Sequence, residues 1–577
     1  MTSPTPGGPA PAAPARDGGQ GPAAAGAVRL TWVQPEDLVG HELRQAAQDG
    51  RDAEPLLRAW LAAGGHPAPE RAGASSAPAG PGLRALAARL LTELAALPRP
   101  SAADEPESWQ AITATWPRAA APGPAPRSAP PPRPQPERPQ GRPGPRPGPQ
   151  LPGNPPAARP EPYPGPRPAP QAHPDPHPHP DPQTHAAREP EPRPVPQPHP
   201  GPQPRPRPAA AGAPRGSLAA GPGDGRAEAG LVRRLEAAWV GRAVGCVLGK
   251  PVEKLPLDGI RRLARAAGNW PLDDWFTARG VPAALLAAYP WNRRSAPTSL
   301  AENIDGAPED DDLNYPLLGL LLLQRHGKGF TTADVGRLWL DELPAGRTFT
   351  AERIAYRNLL QGLEPPATAT HHNPFREWIG ALIRADVHGW TNPGDPAAAA
   401  AQAYRDAVLT HTANGVYAAL FVAAALAEAA TGRADIHTAL RAGLAVVPPR
   451  SRLARAVRHA IDTAAGHTDF DRVVDVLHAR HGHCHWVHAV PNTALIAAAL
   501  THADGDFTHS VCRAVSGGWD TDSNGATAGS LAALVAGEVP HRWAAPLKNR
   551  LATTVAGFDG IGFDTLAHLT AQEAARS

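Results

Sequence analysis

Proline divides this chain of 577 residues into parts that can fold and one part that cannot. Forty of its 74 prolines fall between Pro117 and Pro222, where they alternate with Arg, His, Gln and Glu. Proline fixes φ and has no amide hydrogen to donate, so such a stretch builds neither a helix interior nor a central strand. We therefore predict an extended, partly polyproline II linker over residues 116–226.

The segments on either side of the linker differ in composition. Residues 1–27 are rich in Gly, Pro and Ala, which predicts disorder. Residues 28–115 place apolar side chains at helical spacing, as in Leu56–Ala63 and Leu83–Leu97, and predict a small module of two to four helices. This module carries no recognisable catalytic motif. It and the linker are predicted to offer docking surfaces to a protein partner, although a plain spacer is the simpler explanation of the linker.

Residues 227–577 have the composition of a globular domain. Helical periodicity recurs along this segment and strand patterns are almost absent, so we predict an all-α domain. The formal net charge of +2 gives no reason to expect a nucleic-acid or membrane partner. Three widely spaced cysteines argue against a disulfide framework, and together with the lack of a signal peptide they predict a cytoplasmic protein.

Two acidic clusters are candidates for one metal site. Asp520-Thr-Asp522-Ser523 follows two glycines and precedes the small apolar run Ala526–Val535. About two hundred residues earlier, Glu309-Asp310-Asp311-Asp312 precedes the apolar run Pro316–Leu323. Buried charge is costly unless it is paired or metal-bound, and hard oxygen donors without nearby cysteine favour Mg²⁺, Mn²⁺ or Ca²⁺.

A simpler explanation exists for each acidic cluster alone. Acidic residues at the start of a helix cap free N–H groups and complement the helix dipole. The occurrence of two such clusters, each before a helix too apolar to lie on the surface, favours the metal site.

Three further segments have less specific patterns. Gly241, Gly245 and Gly249 lie four residues apart in a predicted helix, which indicates close helix packing, and Glu253 beyond its end is either an exposed charge or faces a site. Thr410–Gly415 is predicted to be a polar loop. His481–His488 is rich in histidine but lacks the second Cys/His pair of a zinc site, so we interpret it as loop or pocket wall.

Three motifs together resemble those of the ADP-ribosylglycohydrolase family, which includes the dinitrogenase reductase-activating glycohydrolases. They are Gly241-Arg-Ala-Val-Gly-Cys-Val-Leu-Gly-Lys-Pro-Val-Glu253, Asp310-Asp-Asp-Leu313 and Gly518-Trp-Asp-Thr-Asp-Ser523. Their order and long spacing also agree with that family over about residues 236–563. Four positions depart from its pattern: Cys246 stands for an aspartate, and Asp310, Leu313 and Ser523 each stand for a threonine.

The resemblance implies an orthogonal all-α bundle that holds two Mg²⁺ ions, with Mn²⁺ as an alternative. The implied metal ligands are Asp310, Asp311, Asp312, Asp520, Asp522 and Ser523. Members of the family release ADP-ribose from modified side chains or cleave related adducts, so the implied substrate is an ADP-ribosylated protein or another ADP-riboside.

Cleavage of such a substrate would need a general base and donors to the pyrophosphate, and the sequence offers candidates for both. Asp311 or Asp312 would activate the attacking water, with Glu253 as a further candidate. Candidate donors to the pyrophosphate are the backbones of Gly517-Gly518 and Asn524-Gly525 and the loop from His411 to Gly415, which includes Asn414. Two other functions stay open: a non-catalytic module that binds ADP-ribose or metal, and a hydrolase of another ribosylated small molecule.

Overall fold

The protein is described here by a computed structural model. It describes residues 34–68, 72, 79–117 and 224–576, with side chains from residue 228 in the last segment. The disorder predicted for residues 1–27 therefore lies outside the described residues. The same holds for the predicted linker, apart from residues 116, 117 and 224–226 at its two ends.

The described residues form 23 α-helices and four 3-10 helices. The 3-10 helices are Lys250–Val252, Ala345–Arg347, Ile379–Arg384 and Ala545–Leu547. The α-helices are α1 (Pro35–Asp49), α2 (Glu54–Ala62), α3 (Pro81–Ala96), α4 (Trp109–Thr113), α5 (Asp224–Gly249), α6 (Leu257–Ala266), α7 (Ala283–Ala288), α8 (Ala296–Ser299), α9 (Asp311–His326), α10 (Thr332–Glu342), α11 (Thr350–Leu360), α12 (Ala367–Thr370), α13 (Asp386–Trp390), α14 (Pro396–Ala407), α15 (Ala413–Ala429), α16 (Ile436–Ala445), α17 (Arg452–Gly466), α18 (Phe470–His481), α19 (Ala489–His502), α20 (Phe507–Ser516), α21 (Thr521–Ala536), α22 (His541–Ala544) and α23 (Phe563–Ala575).

The predicted all-α fold is confirmed. Strand-like pairing among the described residues is limited to three isolated bridges, Ala307 with Leu551, Trp378 with His488, and Leu551 with Ile561. None of the described helices combines the length and the apolar character that a bilayer crossing requires.

Helices α5 and α21 pack backbone against backbone at the centre of the fold. A Cβ atom added to Gly241 would lie 2.4 Å from the carbonyl oxygen of Gly529, and one added to Gly245 would lie 1.8 Å from that of Gly525. A Cβ on Gly249 would lie 2.3 Å from the carbonyl carbon of Thr521. Only glycine permits this approach, so the close packing predicted from the four-residue spacing is confirmed.

Helices α9 and α21 begin within the two acidic clusters, which open them as the sequence predicts. Asp310 is the residue before α9, and its side chain accepts the N–H of Asp312. Asp520 holds the corresponding position before α21, and Gly518 two residues earlier has φ +80°, a conformation that glycine adopts readily. Both helices are then largely buried, because the residues that follow are small or apolar.

Helices α1 to α4 contact the later helices through buried charges. Glu42 of α1 accepts two hydrogen bonds from Arg376, at 2.7 and 3.0 Å. Glu105 accepts three from Arg452 of α17, two from the guanidinium and one from the backbone N–H, at 2.8 to 2.9 Å. The described parts of residues 34–117 and 224–576 consequently belong to one compact unit.

Candidate metal centre

The two acidic clusters meet beside the end of α5. Potential ligand atoms of Cys246, Asp310 and Asp312 lie within 4.8 Å of one another, and we call these residues the first group. Those of Glu253, Asp520 and Asp522 also lie within 4.8 Å of one another, and we call these the second group. Residues far apart in the sequence therefore supply each group, which separate helix caps would not require.

The packing of α5 against α21 brings these residues together. The Thr521 hydroxyl donates a hydrogen bond of 2.8 Å to the carbonyl of Gly249, the last residue of α5. Asn492 of α19 accepts the backbone N–H of Asp520 at 3.1 Å and the side-chain amide of Asn524 at 2.7 Å. The start of α21 is thereby fixed relative to both α5 and α19.

Two basic side chains, Lys250 and Arg242, contact the first group. The Lys250 ammonium pairs with Oδ2 of Asp310, while Oδ1 accepts the backbone N–H of Asp312 at 2.9 Å. Arg242 donates to the backbone carbonyl of Asp312 at 2.7 Å and lies 3.4 Å from its Oδ1. Arg242 also pairs with Asp386 at 2.9 Å, so all of these charges are buried in one network.

The second group has a different charge balance. Glu253 accepts hydrogen bonds from Lys254 at 2.5 Å and from Asn292 at 2.7 Å, and the Lys254 side chain is 39% exposed. Among the described residues, Asp520 and Asp522 form no ion pair with Lys, Arg or His. Three carboxylates thus converge, and the one ammonium that pairs with them contacts Glu253.

Crowding of carboxylates raises most of their pKa values. Burial, and then neighbouring carboxylates, raise the pKa of Asp311 and of Asp520 well above the ordinary value. Burial, Glu253 and Asp310 raise the pKa of Asp522 to about 7. The pKa of Asp312 is also raised by burial, despite Arg242.

Asp310 behaves in the opposite way. Burial acts to raise its pKa, but the Lys250 ammonium and the hydrogen bonds from Lys250, Asp312 and Cys246 hold the pKa below its ordinary value. Asp310 is therefore a paired carboxylate, and it caps α9 as the simpler explanation of the cluster requires.

The donor sets of the two groups do not suit a hard divalent cation equally. The second group offers three carboxylates whose charge is largely uncompensated, and such oxygen donors fit Mg²⁺ or Mn²⁺. Asp311 lies within electrostatic reach of both groups and accepts no ion pair from a described residue. The first group offers a thiol and two carboxylates that already face Lys250 and Arg242, so it does not fit such a cation.

The residues predicted to hold the pyrophosphate lie in two places. Gly517, Gly518 and Asn524 belong to the segment that begins α21, beside Asp520. The Asn524 amide is used within this segment, since it donates to Asn492 and to the Gly518 carbonyl. Ser523, a predicted metal ligand, is buried in the first turn of α21.

His411 and Asn414 lie instead in a buried polar network. Nδ1 of His411 lies 2.6 Å from the Thr410 hydroxyl, and the Asn414 amide donates to Glu377 at 3.1 Å. The predicted loop ends earlier than expected, because α15 already begins at Ala413. Neither side chain belongs to the two groups of ligand atoms, and their role in phosphate binding stays a prediction.

The histidine-rich segment supplies no ligand to either group. His481 ends α18, and His488 caps α19 by accepting the N–H of Val490. His485 stacks on Trp378 with ring centroids 4.2 Å apart. Of the two interpretations, loop or pocket wall, the turns between α18 and α19 agree with the loop.

Sequence reasoning missed Lys250 and Arg242 as residues of the site. Both lie within the first of the three motifs, Arg242 inside the helix and Lys250 directly after it. A charged residue among buried small residues was the available signal.

A family model described as ADP-ribosylglycohydrolase matches residues 227–574, which is more than half of the chain. The chain belongs to the ADP-ribosylglycohydrolase family. Its members are glycosidase-type hydrolases that act on ADP-ribose compounds, and the family match spans α5, α9 and α21, which carry the site.

One solved structure similar to this family member is titled "ADP-ribosylglycohydrolase-related protein complex". It is 23% identical, and the match covers 60% of this chain and 97% of that chain with a TM-score of 0.38. No curated protein matches the chain.

Proposed function

We propose that this protein is a metal-dependent hydrolase that cleaves the glycosidic bond of ADP-ribose adducts, on protein side chains or on related ADP-ribosides. The observation that carries the proposal is the convergence of Glu253, Asp520 and Asp522 next to the Asp310–Asp312 cluster. A protein that served only as a scaffold would gain nothing from converging carboxylates whose mutual repulsion costs stability.

The second group would hold the cation, and Asp311 lies within electrostatic reach of it. When bound, a divalent cation supplies Lewis acidity and a template for the ribose hydroxyls. The raised pKa values of Asp311, Asp520 and Asp522 support this role, because a cation would offset the repulsion that raises them.

Asp311 is the best candidate for the general base. Of the two aspartates predicted for this role, Asp312 is 2% exposed and faces Arg242, whereas Asp311 has no basic partner among the described residues. The Asp311 carboxylate takes a proton from water as the water oxygen bonds to the anomeric carbon. The bond from that carbon to the leaving nitrogen or oxygen breaks, and the proton taken up by Asp311 passes, through solvent, to the leaving group.

Release of free ADP-ribose from a panel of ADP-ribosylated proteins, with Mg²⁺ and with EDTA, tests the proposal. We expect release that requires the metal and falls by about 10²–10⁴-fold in Asp311→Asn, the usual contribution of a general base. Asp520→Asn should also abolish release. Asp462→Asn is the matched control, because Asp462 is an exposed carboxylate on α17 outside the site.

Three results would contradict the proposal in different ways. Undiminished release in Asp520→Asn would remove the metal site from the mechanism. Metal binding without release from any protein substrate, but with cleavage of another riboside, would assign a different ribosylated small molecule. Metal binding with no cleavage at all would favour a non-catalytic binding module.

A further inference from the structure

The first group contains a built-in cation in the Lys250 ammonium. This group pairs acidic residues with Lys250, which is buried at the end of α5. We propose that Lys250 takes the place of one of the two cations that the family resemblance implies, so that this chain binds a single divalent cation through Glu253, Asp520 and Asp522. This proposal rests on the metal site of the proposed function, and it specifies how many cations that site binds.

The oxygen atoms that contact Lys250 are of the kind that would ligate a metal ion in its place. Its ammonium pairs with Oδ2 of Asp310 and donates to the carbonyl of Glu309 at 3.4 Å. Oδ1 of Asp310 is occupied by the N–H of Asp312. Both oxygens of Asp310 therefore already accept a hydrogen bond, and a divalent cation that used Oδ2 would lie close to a buried ammonium.

The other donors of the first group are equally unsuited to a second ion. The Cys246 side chain is a soft donor that Mg²⁺ does not favour, and it is fully buried. Oδ1 of Asp312 lies 3.4 Å from the Arg242 guanidinium. A divalent cation placed among these residues would face two fixed positive charges at close range, and such repulsion is weakly screened in a buried site.

The second group lacks this obstacle. Its one ammonium belongs to Lys254, whose side chain is 39% exposed and can turn to solvent. Asp520 and Asp522 form no ion pair with a basic side chain that the structure describes, and Lys250 acts on Asp522 only at longer range. The asymmetry between the groups assigns the single ion to the second group.

The departures from the family pattern occur together at the same place. By the resemblance to the family motifs, Cys246 stands in the place of an aspartate and Asp310 in the place of a threonine. The added carboxylate is the one that pairs with Lys250. A changed donor and a new ion pair in the same group are consistent with one cation having been exchanged for an ammonium.

The number of bound Mn²⁺ ions per chain tests the inference without relying on activity. The full chain is titrated with Mn²⁺ by isothermal calorimetry, and the bound ions are counted by elemental analysis after desalting. Electron paramagnetic resonance distinguishes an isolated Mn²⁺ from a coupled pair. We expect one ion per chain and no signal from a coupled pair.

Two variants test whether the number of bound ions depends on Lys250. The triple variant Cys246→Asp, Asp310→Thr, Lys250→Gln replaces the ion pair by the family's oxygen donors, and we expect it to bind two ions and to show the coupled signal. The single variant Cys246→Asp adds a hard donor but keeps Lys250, so it should still bind one ion. Circular dichroism shows whether the triple variant is folded, and the count in the native chain decides the question if it is not.

The outcomes separate this inference from the proposed function. Two ions in the native chain would overturn the inference and leave the metal-dependent hydrolase intact. No bound ion at millimolar Mn²⁺ would overturn both. Two ions in the single variant Cys246→Asp would show that Lys250 does not exclude the second ion.

Discussion

The substitution Gly245→Ala tests the backbone packing of α5 against α21. The new Cβ would lie 1.8 Å from the carbonyl oxygen and 2.2 Å from the carbonyl carbon of Gly525. Ordinary contacts of a Cβ atom begin at about 3.4 Å, so the two helices would have to separate by about 1.5 Å. The atoms in the way belong to the backbone and cannot rotate aside.

The expected loss of stability follows from two opposing effects. Alanine favours the helix over glycine by about 1 kcal/mol. Overpacking in a close-packed interior costs about 1–3 kcal/mol and more where the backbone must move. Because the overlap at Gly245 involves backbone on both sides, we expect the overpacking to cost at least about 3 kcal/mol, which leaves a net loss of about 2 kcal/mol or more once the helix preference is subtracted.

Urea denaturation followed by circular dichroism measures this loss. Gly230→Ala in the same helix is the control, because its Cβ would meet only the guanidinium of Arg234, at 3.4 Å. We expect Gly230→Ala to be neutral or slightly stabilising. Gly245→Ala should also weaken metal binding, because Asp520 and Asp522 would move away from Glu253. If Gly245→Ala unfolded at the same urea concentration as Gly230→Ala, the argument for close packing would be refuted.

Three further predictions concern charge. Arg452→Met leaves the fully buried Glu105 without its partner, so the free energy of unfolding should fall by about 3–5 kcal/mol. The control Arg472→Met removes an exposed arginine and should leave that free energy almost unchanged. Equal melting temperatures of the two variants would refute this prediction. Burial lowers the pKa of His41 to about 4, so the unfolded chain binds one more proton than the folded chain between about pH 6.5 and 4. The free energy of unfolding should therefore fall as the pH decreases through that window, and His41 contributes up to about 1.4 kcal/mol per pH unit to this fall. The fall should be smaller in His41→Leu. Identical pH profiles of the two proteins would contradict the prediction. Adding Mn²⁺ at about 100 times its dissociation constant should stabilise the native chain by about 2.7 kcal/mol and leave Asp520→Asn unchanged in a melting experiment; an equal rise in both would place the ion elsewhere.

Local chemistry made the positions of the acidic clusters predictable. Asp310 and Asp520 each precede an apolar run, and a carboxylate before an apolar segment is a typical helix start. The spacing of Gly241, Gly245 and Gly249 likewise predicts one small-residue face, because four residues bring side chains to the same side of a helix. These features depend on neighbours in the sequence.

Contacts between distant residues were not predictable in the same way. Lys250 lies between Gly249 and Pro251, where it reads as the polar end of a helix, and its partner Asp310 is 60 residues away. Nothing near Glu105 indicates that Arg452 would neutralise it, 347 residues later in the chain. The charge balance of the site is therefore a property of the packed helices rather than of any one motif.

The contacts of α1 to α4 with the later helices do not depend on an unbroken chain between them. Residues 34–117 and 224–576 hold one another through Glu42 with Arg376 and Glu105 with Arg452, all largely buried. The peptide bonds between residues 118 and 223 are not needed for these contacts. Two separately produced fragments should therefore reassemble as a split protein, and proteolytic nicking between them should leave a complex that elutes as a single species.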